Sequence, residues 1–173
     1  MAGAIVLVAM TVPRGARAQV GDRFSWGVSA GAVVPANYLA KDHNTGVNAG
    51  ITMAFGSPGQ LLGIRMDGIF NQFSAKSGTT AVNARILGAT LSFVLPVFGD
   101  ANRVYLIGGL GGYGIRPGVT AQTNVNDFGL NGGIGLWLPG VNGFIEARYH
   151  HFYRALADKH PAIFVPITLG ILF

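Results

Sequence analysis

The sequence predicts an all-β fold, an eight-stranded antiparallel up-and-down β-barrel that crosses a membrane. Three observations predict it. The 173 residues are 50% hydrophobic but only 11% charged, whereas an ordinary soluble domain has about 25% charged residues. Glycine occurs 27 times, which disfavours long stable helices. Along eight segments, large apolar residues alternate with polar or small ones, which is the period of a β-strand.

The eight predicted strands have about ten residues each, enough to cross a bilayer when tilted. In chain order they span 24–34, 47–55, 62–70, 87–95, 104–111, 128–138, 145–150 and 163–173. An even number of antiparallel strands can close without an exposed edge. Long connections follow the first, third, fifth and seventh strands and short ones follow the others. This alternation predicts long outer loops, short periplasmic turns and a periplasmic amino terminus.

The placement of charge predicts which face points outward. A charged side chain that faces lipid at mid-depth costs about 2–4 kcal/mol, and the apolar faces carry no charged residue. Arg65 and Asp67 lie two apart on the third strand, and Glu146 and Arg148 lie two apart on the seventh. We expect all of them to face the narrow lumen and to form a charge-balanced network that plugs it. A gated pore or proton path is the alternative interpretation.

Residues 1–18 are predicted to be a signal peptide. An apolar run, MAGAIVLVAM, is followed by the small-residue stretch Ala16-Arg17-Ala18, and such a run ending in A-x-A is typical of a cleaved secretory signal. The barrel domain would then be residues 19–173. No basic run suggests nucleic-acid binding. The absence of cysteine excludes a disulfide framework and a thiolate metal site.

The aromatic residues predict two interfacial belts, because tyrosine and tryptophan favour both boundaries of a membrane. Glycine runs are interpreted as thin walls that leave lumen space for larger side chains. The inner belt would hold Trp26, Phe55, Phe93, Phe98, Tyr105, Trp137, Phe144 and Phe173. The outer belt would hold Tyr38, Phe70, Phe73, Tyr113, Phe128, Tyr149, Phe152, Tyr153 and Phe164.

The carboxy-terminal segment FVPITLGILF resembles the assembly signal of bacterial outer-membrane proteins, and RVYLIGGLGGYGI, FGLNGGIGLWLP and GFIEARYHHF are similar to late strands of the small OmpA/OmpX-like barrels. This resemblance covers residues 19–173 and implies a location in a Gram-negative outer membrane and insertion by the assembly machinery. We expect a monomer whose partners are outer-membrane lipid and lipopolysaccharide. Pro166 departs from the pattern because it removes a ladder donor, so we expect a bulge or a weakened ladder there. The residues of the predicted assembly signal are Val165, Ile167, Leu169, Ile171 and Phe173.

The histidines offer little chemistry. His43 and His160 lie in predicted loops, and the neighbours His150 and His151 point to opposite faces and cannot chelate one metal together. The lipid A deacylases of the PagL type carry a His-x-Ser pattern on a late strand, but here Tyr153 replaces the serine. Glu146 is expected to face the lumen, away from His151.

The sequence therefore predicts no catalytic site, no metal and no cofactor. The predicted role is structural or interactive: envelope integrity, adhesion or loop-mediated binding. An enzyme that modifies lipid A or phospholipid is one alternative, and a narrow small-solute channel is the other.

Overall fold

The computed structural model describes residues 24–56, 63–98, 104–117, 125–153 and 161–173. The predicted signal peptide and His160 lie outside these ranges, as do most of the short turn after the second strand and much of the loop after the fifth. No helix in the described ranges is long and apolar enough to span a bilayer.

The described ranges form a closed barrel of eight antiparallel strands, in which each strand pairs with the next and the last pairs with the first. This confirms the predicted fold class. One short helix, α1 (Asn37–Asp42), follows the first strand, and a 3-10 turn (Pro139–Val141) precedes the seventh. The strands are β1 (Phe24–Ala36), β2 (Gly46–Phe55), β3 (Gly63–Phe73), β4 (Ala84–Phe98), β5 (Val104–Pro117), β6 (Val125–Leu138), β7 (Gly143–Phe152) and β8 (Ala162–Leu172).

Several strands run further towards the loop-bearing end than predicted. β4 begins at Ala84 rather than at residue 87, β5 continues to Pro117, and β3 continues to Phe73. The apolar alternation ends before the strands do, because ladder hydrogen bonds need only backbone groups, and polar side chains are tolerated beyond the apolar band.

The two faces of the sheet have the predicted orientation. Leu106, Leu136 and Leu169 point outward and are 46%, 39% and 56% exposed. Arg65 and Glu146 point inward and are only 6% and 4% exposed. The barrel therefore presents apolar side chains to its surroundings and holds ionic ones inside, the reverse of a water-soluble barrel.

The interior is not polar throughout. A charged layer lies between two apolar clusters, one at each end of the barrel. The cluster near the 3-10 turn contains Tyr105, Ile107, Phe144 and Leu172. The larger cluster at the loop-bearing end contains Val33, Leu39, Phe73, Ala84, Ile86, Tyr113, Ile115, Phe152, Ala162 and Phe164.

These clusters correct the prediction of two aromatic belts. Six residues assigned to the belts are at most 3% exposed and pack inside the barrel, because alternate strand positions turn them to the lumen. The height of an aromatic residue along its strand is therefore not enough to place it in a belt, because the face of the strand decides whether the ring meets the membrane. The buried six are Phe73, Tyr105, Tyr113, Phe144, Phe152 and Phe164. The exposed aromatics of the predicted belts include Trp26, Tyr38, Phe55, Phe93, Phe128, Tyr149, Tyr153 and Phe173.

Glycine makes room for the buried rings, as expected. Tyr105 lies opposite Gly135 across the β5–β6 ladder, and Phe144 lies opposite Gly170 across the β7–β8 ladder. A Cβ atom placed on either glycine would collide with the facing ring. A side chain at these wall positions is therefore incompatible with the aromatic packing inside.

Pro166 weakens one ladder without a bulge. The β7–β8 pairing lapses between Ala147↔Ile167 and His150↔Phe164, and the register is the same on both sides of the gap. On the other edge of β8, the pairing with β1 passes through Pro166 without interruption. The missing N–H of proline accounts for the lapse.

Helix α1 covers the loop-bearing end of the lumen. Its Leu39 is 2% exposed and belongs to the larger apolar cluster. The loop between β3 and β4 holds the helix in place, because Lys76 Nζ donates to the carbonyl of Ala40 at 2.6 Å and the backbone N–H of Lys76 donates to the carbonyl of Asp42 at 2.8 Å. Helix α1 and the loop between β3 and β4 are thus bonded to each other at this end of the barrel.

Candidate functional site in the barrel lumen

The candidate site is built on two facing walls of the barrel. β3 carries Arg65 and Asp67, and β7 carries Glu146 and Arg148. Because strand residues two apart share a face, each pair points inward together. Three strands lie between β3 and β7 on either side of the barrel, so the two pairs face each other and meet across the lumen.

The four side chains form a closed ring in which each arginine contacts both carboxylates. Arg65 binds Glu146 through two hydrogen bonds, Nη1 to Oε2 at 2.8 Å and Nη2 to Oε1 at 3.0 Å. Its Nε donates to Asp67 Oδ1 at 2.8 Å. Arg148 donates from Nη1 to Asp67 Oδ2 at 2.9 Å and from Nη2 to Glu146 Oε1 at 2.6 Å. Two positive and two negative groups cancel within one buried layer.

Neighbouring hydroxyl groups complete the hydrogen bonding of the carboxylates. Thr52 Oγ1 donates to Asp67 Oδ1 at 2.7 Å, and Tyr105 OH donates to Glu146 Oε2 at 2.9 Å. Below the ring, the guanidinium carbon of Arg65 lies 4.7 Å from the centroid of the Phe144 ring. A buried charge is tolerated where it is both paired and hydrogen-bonded, and this arrangement supplies both conditions.

A second layer of amide groups surrounds the ring. Asn48 Nδ2 donates to Asn71 Oδ1 at 2.7 Å, and Ser92 Oγ donates to Asn131 Oδ1 at 3.0 Å. The Nδ2 atoms of Asn71 and Asn131 are buried without a hydrogen-bond partner in the described structure. A cavity of about 20 Å³ remains beside the ring, which is about the room needed by one water molecule.

His150 and Tyr113 lie next to the charged layer, on the side of the loop-bearing end. Tyr113 OH lies 2.8 Å from His150 Nδ1, and the His150 ring stacks on Phe164 at 4.8 Å with an interplanar angle of 3°. Sequence reasoning gave His150 no role. The alternation of β7 places it on the same face as Arg148, and that signal was sufficient to find it.

The other histidines lie apart from this layer. His43 ends α1, with its Nε2 atom 3.0 Å from the carbonyl oxygen of Val82, so it connects two loops. His151 points outward between Tyr149 and Tyr153, at ring distances of 6.4 Å and 5.0 Å. Glu146 is buried in the lumen, so the structure does not bring His151 and Glu146 together. Among the described residues, no group of three His, Cys, Asp or Glu side chains could hold a metal ion.

No protein-family model and no curated protein sequence matches this chain. Solved structures do. The outer-membrane protein Ail of Yersinia pestis in a phospholipid nanodisc matches with a TM-score of 0.54 at 15% identity, over 86% of this chain and 99% of that one. The crystal structure of Ail, the attachment invasion locus protein of Yersinia pestis, gives 0.51 at 16% identity, over 87% and 97%. Neisserial surface protein A gives 0.51 at 13% identity, over 86% and 95%.

The chain has the fold of the small OmpA/OmpX-like outer-membrane barrels. The last strand of this small barrel carries the residues that resemble an assembly signal. Ile167, Leu169, Ile171 and Phe173 alternate on the outward face and are 42–56% exposed. The ring of Phe173 lies 4.8 Å from that of Trp26, and its backbone N–H donates to the carbonyl of Trp26 at 2.7 Å. The terminal residue therefore joins β8 to β1 where the barrel closes. Val165, the first residue of the predicted signal, faces the same way and is half-buried.

Proposed function

We propose that this protein is an integral barrel of a Gram-negative outer membrane with a sealed lumen, and that it acts through its loop-bearing end in adhesion or in binding at the cell surface. The observation that carries this proposal is the combination of an apolar outer face with a lumen in which a charged ring lies between two apolar clusters. A lumen sealed in this way would leave no route for a solute, so the surface of the barrel would be what remains to interact.

The outward face supports placement in a bilayer. Ile51, Leu110 and Leu169 are 61%, 63% and 56% exposed, and a continuous apolar surface of this kind is unfavourable in water. Contact with the acyl chains of a bilayer would remove this apolar surface from water. The partners we propose at this surface are outer-membrane lipid and lipopolysaccharide, with the assembly machinery binding the β8 residues during insertion.

The charged ring supports a role as a plug rather than as a pore or proton path. Each carboxylate is held by two guanidinium groups and at least one hydroxyl group. Apolar clusters lie above and below. An ion or solute would have to displace all three layers.

Planar-bilayer conductance tests the sealed lumen. We expect no channel events from the purified full chain. We also expect none from a variant in which Arg65, Asp67, Glu146 and Arg148 are all replaced by alanine, because the two apolar clusters remain. Steady channels in the native protein would refute the plug and favour a small-solute channel.

The outer end supports an interactive role. Tyr38 and Lys41 are exposed on α1, with Lys41 Nζ 4.3 Å from the centroid of the Tyr38 ring, and the loop after β3 fixes the helix. The crystal structure of Ail carries the description attachment invasion locus protein, which adds to the case for a surface role here.

Attachment of whole cells tests this role. Non-adherent bacteria that express the full chain should bind cultured epithelial cells more than bacteria that express no barrel. The Tyr38→Ala/Lys41→Ala variant should lose part of that gain at equal surface expression. Equal attachment with and without the barrel would refute adhesion.

Mass spectrometry of lipid A tests the deacylase alternative. Cells with and without the protein should give identical spectra, since His151 forms no hydrogen bond or ion pair with a serine or carboxylate of the described residues. A lost acyl chain would favour the deacylase alternative.

Sequencing of the exported protein from its amino terminus tests the signal peptide. The sequence should begin at Gln19, as cleavage after residue 18 predicts.

A further inference from the structure

A groove runs along the outer face of the barrel where β5 carries glycine instead of a large side chain. The groove has a volume of about 590 Å³, with Gly112 in its floor and with Leu87 of β4 and Phe128 of β6 on its sides. A Cβ atom added to Gly112 would meet no atom within 4 Å, so this glycine leaves open space. A second, apolar groove of about 510 Å³ continues from Gly112 past Leu91 and Leu110 towards the middle of the barrel.

Two arginines stand at the outer end of this groove. Arg85 of β4 and Arg116 of β5 are direct cross-strand partners, and both are exposed. Residues so paired have Cβ atoms about 4.5–5.5 Å apart, and like charges in this position repel each other. Neither arginine forms an ion pair or hydrogen bond with the described residues. An anion between them would replace the repulsion by two attractions.

The groups around the arginines suit a phosphate. Guanidinium groups bind phosphate oxygens with two parallel hydrogen bonds. The Asn126 side chain lies over Gly114, two residues before Arg116 on β5, since a Cβ atom on Gly114 would lie 2.9 Å from its Oδ1 atom. Asp127 also lines the groove, but its Oδ1 atom accepts a hydrogen bond from the backbone N–H of Phe128 at 2.8 Å. Two arginines against one aspartate leave one net positive charge at this end.

The charged end and the apolar run have a fixed order. Arg85 is followed at alternate outward positions of β4 by Leu87, Ala89 and Leu91, so an anionic group bound at the rim would lead directly into the apolar groove. Phe128 is 78% exposed beside the glycine floor, and an exposed ring of this size lacks a packing partner within the barrel. An amphiphile with an anionic head and an acyl tail matches both parts.

We propose that this groove binds one molecule of a phosphate-bearing acylated glycolipid, the lipid class of the outer leaflet of a Gram-negative outer membrane. The phosphate lies between Arg85 and Arg116, and one acyl chain lies over Gly112 between Leu87 and Phe128. This assignment rests on the proposed function, because it requires the loop-bearing rim to face the outer leaflet.

Native mass spectrometry of the full chain tests the proposal. The protein is titrated in detergent with purified lipid A, with phosphatidylglycerol and with phosphatidylcholine, and the fraction that carries one lipid is measured. The test variants are Arg85→Gln/Arg116→Gln, which removes the charge, and Gly112→Leu, which fills the groove. The matched controls are Gly132→Leu, at another roomy outward glycine, and Lys41→Gln, which removes an exposed positive charge elsewhere.

We expect wild type to retain lipid A in preference to both phospholipids. The loss of charge-assisted hydrogen bonds to phosphate in Arg85→Gln/Arg116→Gln should weaken retention at least about tenfold. Gly112→Leu should also weaken it, and the two controls should not. Equal retention by all five proteins would overturn the site, and a preference for phosphatidylglycerol would overturn the assignment to a glycolipid.

Heat-dependent gel mobility of each sample separates the loss of the lipid site from the loss of the barrel. A closed barrel should migrate differently before and after boiling. Samples with this shift that bind no lipid A would refute the groove alone. A wild-type chain without the shift would refute the barrel in the membrane and the lipid site together.

Discussion

The lumen contains two kinds of packing: a charged layer held by hydrogen bonds and an aromatic layer held by the fit of its rings. In the charged layer, Arg65, Asp67, Glu146 and Arg148 are held by directional bonds, and the removal of one member leaves the others unbalanced. In the aromatic layer around Phe164, rings fill space by shape, at centroid distances of 6.0–6.3 Å to Phe73, Tyr113 and Phe152. The first layer should depend on charge balance, and the second on volume.

The largest expected effect is on charge balance. Glu146→Ala leaves two buried arginines against one aspartate, and such an uncompensated charge costs about 3–5 kcal/mol of unfolding free energy. Urea unfolding of the barrel in lipid vesicles measures the loss. The matched control replaces all four charged residues by Met or Leu of similar volume, which should be nearly neutral or stabilising. A loss in the control as large as that in Glu146→Ala would contradict dependence on balance.

The next effect is on volume. Phe164→Ala removes the ring that stacks on His150 and should destabilise the barrel by about 3 kcal/mol through the cavity left behind. The same unfolding experiment compares it with Phe93→Ala, whose ring is 57% exposed on the outer face. The inner variant should lose clearly more stability. Equal losses would mean that the inner rings are no better packed than the outer ones.

A smaller effect is expected where the charged layer meets the apolar cluster near the 3-10 turn. Tyr105→Phe keeps the ring against Gly135 but removes the hydroxyl group that donates to Glu146. A hydrogen bond to a charged group contributes about 1.5–3 kcal/mol, so the unfolding free energy should fall by an amount near the lower figure. Repeating the substitution in the background without the four charges should abolish the effect. If the loss persists there, it comes from the ring and not from the bond.

The smallest effect separates two threonines that share one carboxylate. Thr52 Oγ1 lies 2.7 Å from Asp67 Oδ1, whereas Thr90 Oγ1 lies 3.5 Å from Asp67 Oδ2. Thr52→Val should therefore cost about 1 kcal/mol or more, and Thr90→Val less than about 0.5 kcal/mol, because hydrogen bonds weaken at long distances. Comparison of the two unfolding midpoints tests this order, which the reverse result would contradict.

Strand alternation was sufficient to place the four charged residues in the lumen but not to identify their partners. Inward position depends only on odd or even spacing along β3 and β7, which is visible in the sequence. The crossed pairing of Arg65 with Glu146 depends on the reach of long side chains across the lumen, which no local pattern contains. The buried aromatics were visible in principle, since Tyr105 and Tyr113 occupy inward positions of β5.

The connections were less predictable than the strands. The segment PANYLAKDHNTG has a proline at its start and no helical period, yet residues 37–42 form α1. Its helical turn depends on a tertiary contact, the burial of Leu39 in the barrel mouth, and on bonds from the loop after β3. Such contacts between distant segments override local preference and cannot be derived from either segment by itself.

Because Gly135 faces Tyr105, the size of a residue in the barrel wall affects the charged side chains in the lumen indirectly. The three atoms nearest to a methyl group placed on Gly135 all belong to the Tyr105 side chain. The methyl group would push this side chain away, together with the hydroxyl group on which Glu146 depends. The hydrogen bonding of the Glu146 carboxylate on β7 thus depends on the size of a neutral residue on β6. A mutational survey restricted to the charged residues would miss this position.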